Sequence, residues 1–401
     1  MSRVPVAWVG IDAGKQTHHA AAVDRDGRLL WSVNVRNDQA AIEALVERAE
    51  GTAGEVRWAV DLTSAAAVLL LAVLVATERQ VIYVPGQVVN RMSGAFAGEA
   101  KTDARDARVI AETARLRRDL TQLRTPNDLV VQLSRLVGHR TDLMADWVRG
   151  VNRLRDLLTA IFPRLEQALD YSTRAALTLV AGYCTPAAVR EAGTETLVAY
   201  MISKGVRRNT ATGMVAKATE AAAAQTLALP GETITAELVR RQARKLLDLD
   251  REIKDIDKDI TARFRQHPQA AVIESMPGMG PILGAEFITA TGGDLAAFGS
   301  AARLATYAGL APVPNDSGKR SGVLHRPRRY HRRLRHVFYM AAFSSLKREG
   351  PSRTFYQRKR AERQRHTKAM IALARRLVDV LWAMLRDNKP WTAPTPATAT
   401  A

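Results

Sequence analysis

Cysteine is almost absent from this chain: of its 401 residues only Cys184 carries a thiol. A single thiol cannot staple a small secreted domain, so a disulfide scaffold is excluded. A structural zinc centre built on cysteines is excluded for the same reason. Long apolar runs are also missing. The longest, Ala65 to Ala76, spans a dozen residues, short of the roughly 18–20 that cross a bilayer, and suits a buried helix. The apolar stretch from Val4 to Gly10 is too short for a secretory signal and meets Asp12 at once. These absences point to a cytoplasmic protein that uses no membrane. Acidic residues are in deficit: 40 Asp and Glu face 59 Lys and Arg, a net charge of +19. A chain that basic is expected to meet a polyanion, nucleic acid before lipid. Apolar residues still make up 47%, enough for real cores, and the length allows two or three domains of about 100–200 residues each.

The excess charge is concentrated. Residues Lys319 to Lys368 hold 17 Lys and Arg against Glu349 and Glu362 alone, which places +15 of the +19 in 50 residues. A short basic run is ordinarily a solvated face. This one is long and interleaved with Tyr330, Phe338, Tyr339, Phe355 and Tyr356, a mixture of cations and rings suited to nucleic acid.

The first third alternates as an α/β fold. Val6 to Asp12, Thr17 to Val23 and Leu29 to Val35 read as three strands, the last two joined by a turn at Asp24 to Gly27. A helix is expected over Asp38 to Arg48, a fourth strand over Val56 to Asp61, a helix over Ser64 to Thr77 and a fifth strand over Gln80 to Val84. A three-strand meander followed by alternating helices and strands is the order of a ribonuclease-H-like sheet. In that order the first and fourth strands are neighbours, so Asp12 and Asp61 at their ends would converge. Asp103 and Asp106 lie three apart, on one face of a helix. Four carboxylates in one place repel unless a cation separates them, and hard oxygen ligands suit Mg2+ or Mn2+. The plainer alternative is that Asp103 caps a helix with Asp106 in its first turn.

The middle reads as helical. One apolar stripe runs from Leu129 through Leu133, Leu136, Leu143, Trp147, Leu154, Leu157 and Ile161 to Leu165, interrupted at Arg140 and Gly150. A second follows Val239, Leu246, Leu249, Ile253, Ile256 and Ile260 at heptad-like steps, interrupted at Gln242. Two readings stay open: an antiparallel pair within one chain, or an intermolecular coiled coil. The stripes flank an Ala- and Thr-rich insertion, about Tyr171 to Pro230, that carries no functional motif.

Ser275 to Phe287 resembles a helix-hairpin-helix turn, although an ordinary glycine-rich turn fits as well. Leu304 to Leu310 reads as a helix. A polar loop with Asp316, Ser317, Gly318, Lys319, Arg320 and Ser321 follows. A serine among cations suits a hydroxyl that attacks a phosphodiester, while a turn serine bonding its own backbone is the plain alternative. Arg328 to Leu346 is expected to be a helix, with Arg328, Arg329, Arg332, Arg333 and Arg335 on its polar faces to grip phosphates. A further helix is expected over Thr367 to Leu385, and residues 389–401 form a Pro/Thr/Ala tail expected to be disordered.

The set Gly10-Ile-Asp12, Ala59-Val-Asp61-Leu-Thr63, Lys101-Thr-Asp103-Ala-Arg-Asp106, Met276-Pro-Gly-Met-Gly280 and Tyr307-Ala-Gly-Leu-Ala-Pro312 with Ser317-Gly318 resembles the DEDD transposases of insertion-sequence family 110, which include the pilin-gene invertases. The resemblance covers about Val6 to Leu385. It implies a multidomain α/β plus α protein: a RuvC-like domain over 1–125, a helical coiled-coil segment over 126–268, and a mainly helical C-terminal transposase domain over 269–388 ahead of the tail. It implies that Asp12, Asp61, Asp103 and Asp106 bind divalent metal and that Ser317, or else Ser321, attacks DNA covalently, with Lys319 and Arg320 beside it. Many members are guided by a noncoding RNA that pairs with donor and target DNA. The family works as an oligomer, with the acidic and serine halves of one site on different subunits. One departure stands out: the second acid is usually Glu, and here it is Asp61, shorter by one methylene. Two other activities fit the residues: a metal-dependent nuclease that uses water, and a non-catalytic nucleic-acid-binding protein.

Overall fold

The computed structural model of the chain describes residues 4–61, 65–94, 102–118, 120–123, 127–295, 298–314, 324–325, 327–328 and 330–393. It divides into two units, Met1–Pro126 and Asn127–Ala401.

The first unit opens with three strands, β1 Val4–Ala13, β2 Thr17–Val23 and β3 Leu29–Arg36. The turn between β2 and β3 forms because the Asp24 carboxylate accepts the N–H groups of Asp26 and Arg28 at 2.9 and 2.8 Å. Helix α1, Gln39–Thr52, is capped by Asp38, which accepts the Ala41 N–H, and runs directly into β4, Ala53–Val60. Then come α2 Val68–Ala76, β5 Val81–Tyr83, α3 Gly86–Ser93, α4 Asp103–Leu116 and β6 Thr121–Leu123. The sheet order is β3-β2-β1-β4-β5-β6. β1, β4 and β5 are parallel, whereas β2, β3 and β6 pair antiparallel with their neighbours. The meander and the parallel pairing of β1 with β4 agree with the order expected from the sequence.

Alternation assigns the two faces of this sheet. Val9, Ile11, Trp58 and Val60 pack with α1 and α2. Trp8, Ala59 and Ile82 pack with Val109, Ile110 and Ala114 of α4. Gly10 lies on the α4 face. A Cβ there would fall 2.3 Å from the Ala107 carbonyl oxygen and 2.3 Å from the Ala111 amide nitrogen. Only a residue without a side chain lets the helix backbone come that near the strand.

The second unit begins with α5, Asp128–Ile161, followed by α6 Pro163–Ala168, α7 Arg174–Gly182, α8 Pro186–Ser203, α9 Arg208–Ala223 and α10 Glu232–Phe264. α5 and α10 lie antiparallel within one chain: His139 faces Glu252, Arg140 pairs with Asp257, and Arg263 bonds Gln132. The interruptions in the two apolar stripes answer each other. Gly150 leaves room that the Leu246 side chain fills, and Gln242 Nε2 donates to the Gly150 carbonyl at 3.1 Å. Arg140 is matched by Asp257. One end of this helical pair joins α6–α9 in a core that includes Leu154, Tyr171, Leu197 and Val239. The other end joins the C-terminal helices in a core that includes Leu133, Phe264, Phe287, Phe338 and Leu381.

Those C-terminal elements are α11 Ala270–Ser275, α12 Pro281–Thr291, α13 Ala301–Tyr307, the two-residue strands β7 Val313–Pro314 and β8 Leu324–His325, α14 Arg332–Ser345, α15 Pro351–Ala361 and α16 His366–Arg386. Three sequence expectations need correction. The helix expected from Arg328 starts at Arg332, because His331 takes an extended conformation and its Nδ1 accepts the Leu334 N–H as an N-cap. Arg328 therefore precedes the helix. α15 was not foreseen; none of its side chains is fully buried, and it rests on the core through Phe355 and Tyr356, too few to read as an apolar stripe. The tail begins later than expected, since the Trp391 N–H donates to Ser275 Oγ at 2.9 Å and its ring packs on the core; residues 394–401 lie outside the described residues.

Gly10→Ala is expected to lift α4 from the sheet, since backbone atoms on both sides leave the methyl nowhere to go. The cost should be about 1–3 kcal/mol, as for other overpacked sites. Hydrogen exchange over residues 103–116 should accelerate; exchange at the wild-type rate would show that the close approach does not hold the helix.

Candidate acidic site and cationic module

The parallel register of β1 with β4 pairs Gly10 with Ala59 and Ile11 with Val60. The next row of that ladder holds Asp12 and Asp61, and alternation turns both carboxylates toward α4. Asp12 still belongs to β1 and pairs with His19 of β2, whereas Asp61 directly follows β4. α4 begins at this same edge. Its N-cap is Thr102, whose hydroxyl accepts the Arg105 N–H, so Asp103 is the first helical residue and Asp106 ends the first turn. Thr102 thus takes the capping role that the sequence allowed Asp103. Both acids complement the helix dipole.

Electrostatics separates the four. Asp61 is half-buried, and its Oδ1 is enclosed with no hydrogen-bond partner. Burial pushes its carboxyl above the ordinary value. The negative charge of Asp106 adds to the rise, while backbone N–H groups at Asp61 and Ala13 oppose it. Asp61 and Asp106 are therefore within electrostatic reach of each other. Asp103 is exposed. Among the described residues, no three His, Cys, Asp or Glu side chains stand together as a finished cation site. The fold brings Asp12, Asp61 and Asp106 to one edge and leaves Asp103 at its rim.

The donor chemistry is compatible with a hard divalent ion. An enclosed carboxylate oxygen without a partner, next to a second carboxylate, lacks positive charge; the histidine of this row, His19, is engaged with Ser32 Oγ at 2.8 Å, which leaves the carboxylate oxygens as the donors.

In the second unit, Ser317, Ser321, Lys319, Arg320 and Arg329 lie outside the described residues. Arg328 and Arg332 are exposed. Two of the expected phosphate grips also have partners within the protein. Arg335 donates to the Gly309 carbonyl at 3.1 Å and stacks 4.9 Å from the Tyr330 ring centroid. Arg333 donates to Thr141 Oγ1 of α5 at 3.2 Å.

The glycine-rich turn expected near Ser275 joins α11 to α12, with Gly280 as N-cap and Pro281 at the first helical position. The structure adds a second turn of the same build between α14 and α15. Gly350 and Pro351 occupy the same two positions there. Ser275 and Ser345 each stand six residues before the proline, and each bonds a carbonyl three residues back at 2.6 and 2.8 Å. Both turns line one cavity of about 810 Å3, together with Lys347 and Arg348. The repeated serine-to-Gly-Pro spacing was visible in the sequence and is the signal that could have found the second turn.

A carboxyl whose folded pKa is raised contributes stability below its unfolded value, near 3.9, and that contribution is lost as pH rises through the folded value. At neutral pH without metal, Asp61 therefore destabilises the fold. Asp61→Asn should stabilise the metal-free protein at pH 7.5 by about 1 kcal/mol, the scale of one unsatisfied buried polar group. The gain should shrink as pH falls toward the carboxylate range. Urea unfolding in EDTA at the two pH values checks this, and a gain that does not change with pH would contradict it.

Residues 9–163 match the DEDD transposase family of IS110 elements, described as a transposase, and residues 270–357 match the transposase IS116/IS110/IS902 family. The 44.8 kDa protein of insertion element IS116 from Streptomyces clavuligerus is 54% identical, covering 98% of both chains. The 42 kDa protein of insertion element IS900 from Mycobacterium paratuberculosis is 47% identical, again over 98% of both. The 43.6 kDa protein of insertion element IS110 from Streptomyces coelicolor is 34% identical over 97% of this chain and 96% of its own. The acidic sheet edge, the basic C-terminal unit and these full-length likenesses place the chain in the IS110 family of DEDD transposases, whose substrate is DNA.

Proposed function

We propose that this transposase cuts and rejoins DNA through a serine nucleophile, Ser317, with a divalent cation held among Asp12, Asp61, Asp103 and Asp106. The observation that carries this reading is the enclosed, partnerless Oδ1 of Asp61 beside the charge of Asp106. Mg2+ or Mn2+ bound there supplies Lewis-acid polarisation of a phosphoryl oxygen. Asp12 and Asp61 are fixed by the strand ladder, and Asp106 by the first turn of α4, so this sheet edge can hold a scissile phosphate in one orientation.

The Ser317 hydroxyl attacks the phosphorus and gives its proton to a carboxylate of the acidic edge. The DNA oxygen whose bond to phosphorus breaks takes a proton back from that carboxyl or from solvent and leaves as a free hydroxyl end, and the phosphate stays esterified to the serine. Attack by a second DNA hydroxyl reverses the step and rejoins the strand. Ser321, four residues on, is the alternative nucleophile. Lys319 and Arg320 offset negative charge as it develops. Arg328, Arg329 and Arg332, with the two Gly-Pro turns, hold the flanking backbone. In this reading 1–125 is the RuvC-like catalytic domain, 126–268 the helical segment through which subunits associate, and 269–388 the domain that brings the serine. The enzyme works in the cytoplasm as a homo-oligomer, the acidic edge of one subunit meeting the serine of another, with a noncoding RNA selecting donor and target DNA.

Incubation with cleavable DNA and Mg2+, followed by a denaturing gel, tests the chemistry. The wild-type protein should form a covalent protein–DNA adduct that Ser317→Ala abolishes and Ser321→Ala retains. Adducts in both variants would remove both serines from the role. Cut DNA with free ends and no adduct from the wild type would favour hydrolysis by water.

A further inference from the structure

The insertion between the two long helices carries no motif, yet the surface it shares with α10 has a distinct charge pattern. In the C-terminal half of α10 the lysines and arginines are matched along the helix: Arg251 with Asp248, Lys254 with Asp250, Lys258 with Asp255 and Arg263 with Asp259. This is the salt-bridge ladder of an ordinary solvated helix. The N-terminal half differs. Arg240, Arg241, Arg244 and Lys245 have no carboxylate at ion-pair distance among the described residues, and all but the half-buried Arg240 are exposed.

These cations line a concave surface. Two troughs, of about 770 and 710 Å3, share Arg240, Arg244 and Asp248 and so run side by side along α10. Arg153 of α5 lines one, and Arg174 of α7 and Lys204 after α8 line the other. Of the two acids in the troughs, Asp248 is already paired with Arg251, which leaves Glu237. Three helices and a helix end thus direct cations into two adjoining troughs with almost no counter-charge, an arrangement that repels itself unless an anion enters.

The size of the surface suits a polyphosphate. From Arg240 to Arg251 the helix rises about 16 Å, and a DNA duplex presents one phosphate per roughly 1.7 Å of axis. Guanidinium forks match phosphate oxygens. Among the described residues Tyr200 is the only aromatic one lining the troughs, and its surfaces are occupied: its hydroxyl donates to the Thr178 carbonyl, Tyr183 packs edge-on, and Lys204 covers the ring. No ring among these lining residues is left to stack an unpaired base, as recognition of single strands requires.

We propose that this trough is a second DNA-binding surface, which grips the backbone of duplex DNA without regard to sequence and is separate from the Lys319–Lys368 module. It rests on the family's DNA substrate and not on the serine or the metal.

The test uses the full-length protein in EDTA, where binding is read without cleavage, so its outcome is independent of the adduct experiment. Fluorescence anisotropy measures affinity for a random-sequence DNA duplex over a KCl series. For Arg174→Gln/Arg244→Gln/Lys245→Gln the slope of log affinity against log salt should become shallower by about 2–3, at roughly 0.9 for each phosphate that is no longer neutralised. Lys204→Gln/Arg241→Gln should act in the same direction and serves if the first variant fails to fold. The control Lys254→Gln/Lys258→Gln, in the matched half of the helix, should keep the wild-type slope. Wild-type slopes in both trough variants, or an equal loss in the control, would overturn the proposal. Loss of binding to a hairpin RNA with duplex DNA binding intact would also overturn it, since the occupant would then be RNA.

Discussion

The seat of α4 on β1 is the constraint on which the acidic edge depends. Gly10 puts no side chain between strand and helix, so the backbone around Ala107 and Ala111 rests against the sheet itself. This closeness brings Asp106, one residue before Ala107, within electrostatic reach of Asp61. The strand ladder sets Asp12 and Asp61 in one row, and the helix supplies the third carboxylate from above. A bulkier residue at position 10 would leave every acid in the chain and still dissolve their arrangement.

The two units share an electrostatic logic of opposite sign. At the sheet edge, carboxylates are gathered and one oxygen is enclosed without a partner. Along α10, guanidinium and ammonium groups are gathered with almost no acid. Neither arrangement is favourable in isolation, because grouping like charges costs free energy that folding alone does not return. Each becomes favourable when a group of the other sign arrives from outside. Most remaining cations of the second unit behave conventionally. Arg335 ties α14 to the Gly309 carbonyl, Arg333 ties it to α5, and Arg353, Arg358 and Lys359 pair with nearby glutamates.

Much of the first unit was legible because its signals are local. Strand alternation, the Asp24 turn and the acids at strand ends all act over a few residues. The cap of α4 was harder: Thr102 and Asp103 are both good caps, and only backbone geometry distinguishes them. Long-range complementarity was not legible at all. Gly150 and Gln242 look like flaws in two separate stripes, and their mutual fit appears only when residues about ninety apart in sequence meet. α15 escaped for a different reason, since a helix that packs through only two adjacent rings, Phe355 and Tyr356, shows no periodic stripe, and only its Gly-Pro start marked it. The charge trough was hidden in the same way. Its cations come from four separate segments, and a linear count shows only a nearly neutral middle.

The antiparallel pair of α5 and α10 carries one core at each end, one with α6–α9 and one with the C-terminal helices. Between them Arg140 is fastened on Asp257, and Gly150 seats Leu246 at the margin of the α6–α9 core. A stem of this kind transmits position well and cooperativity poorly. The lobe at its far end is a separate reservoir of folding free energy, able to open or change sequence without loosening the helices around Phe338. The insertion is thus a passenger on a stiff rod of about 50 Å, and the number of turns in that rod sets how far from the C-terminal core its charge can act.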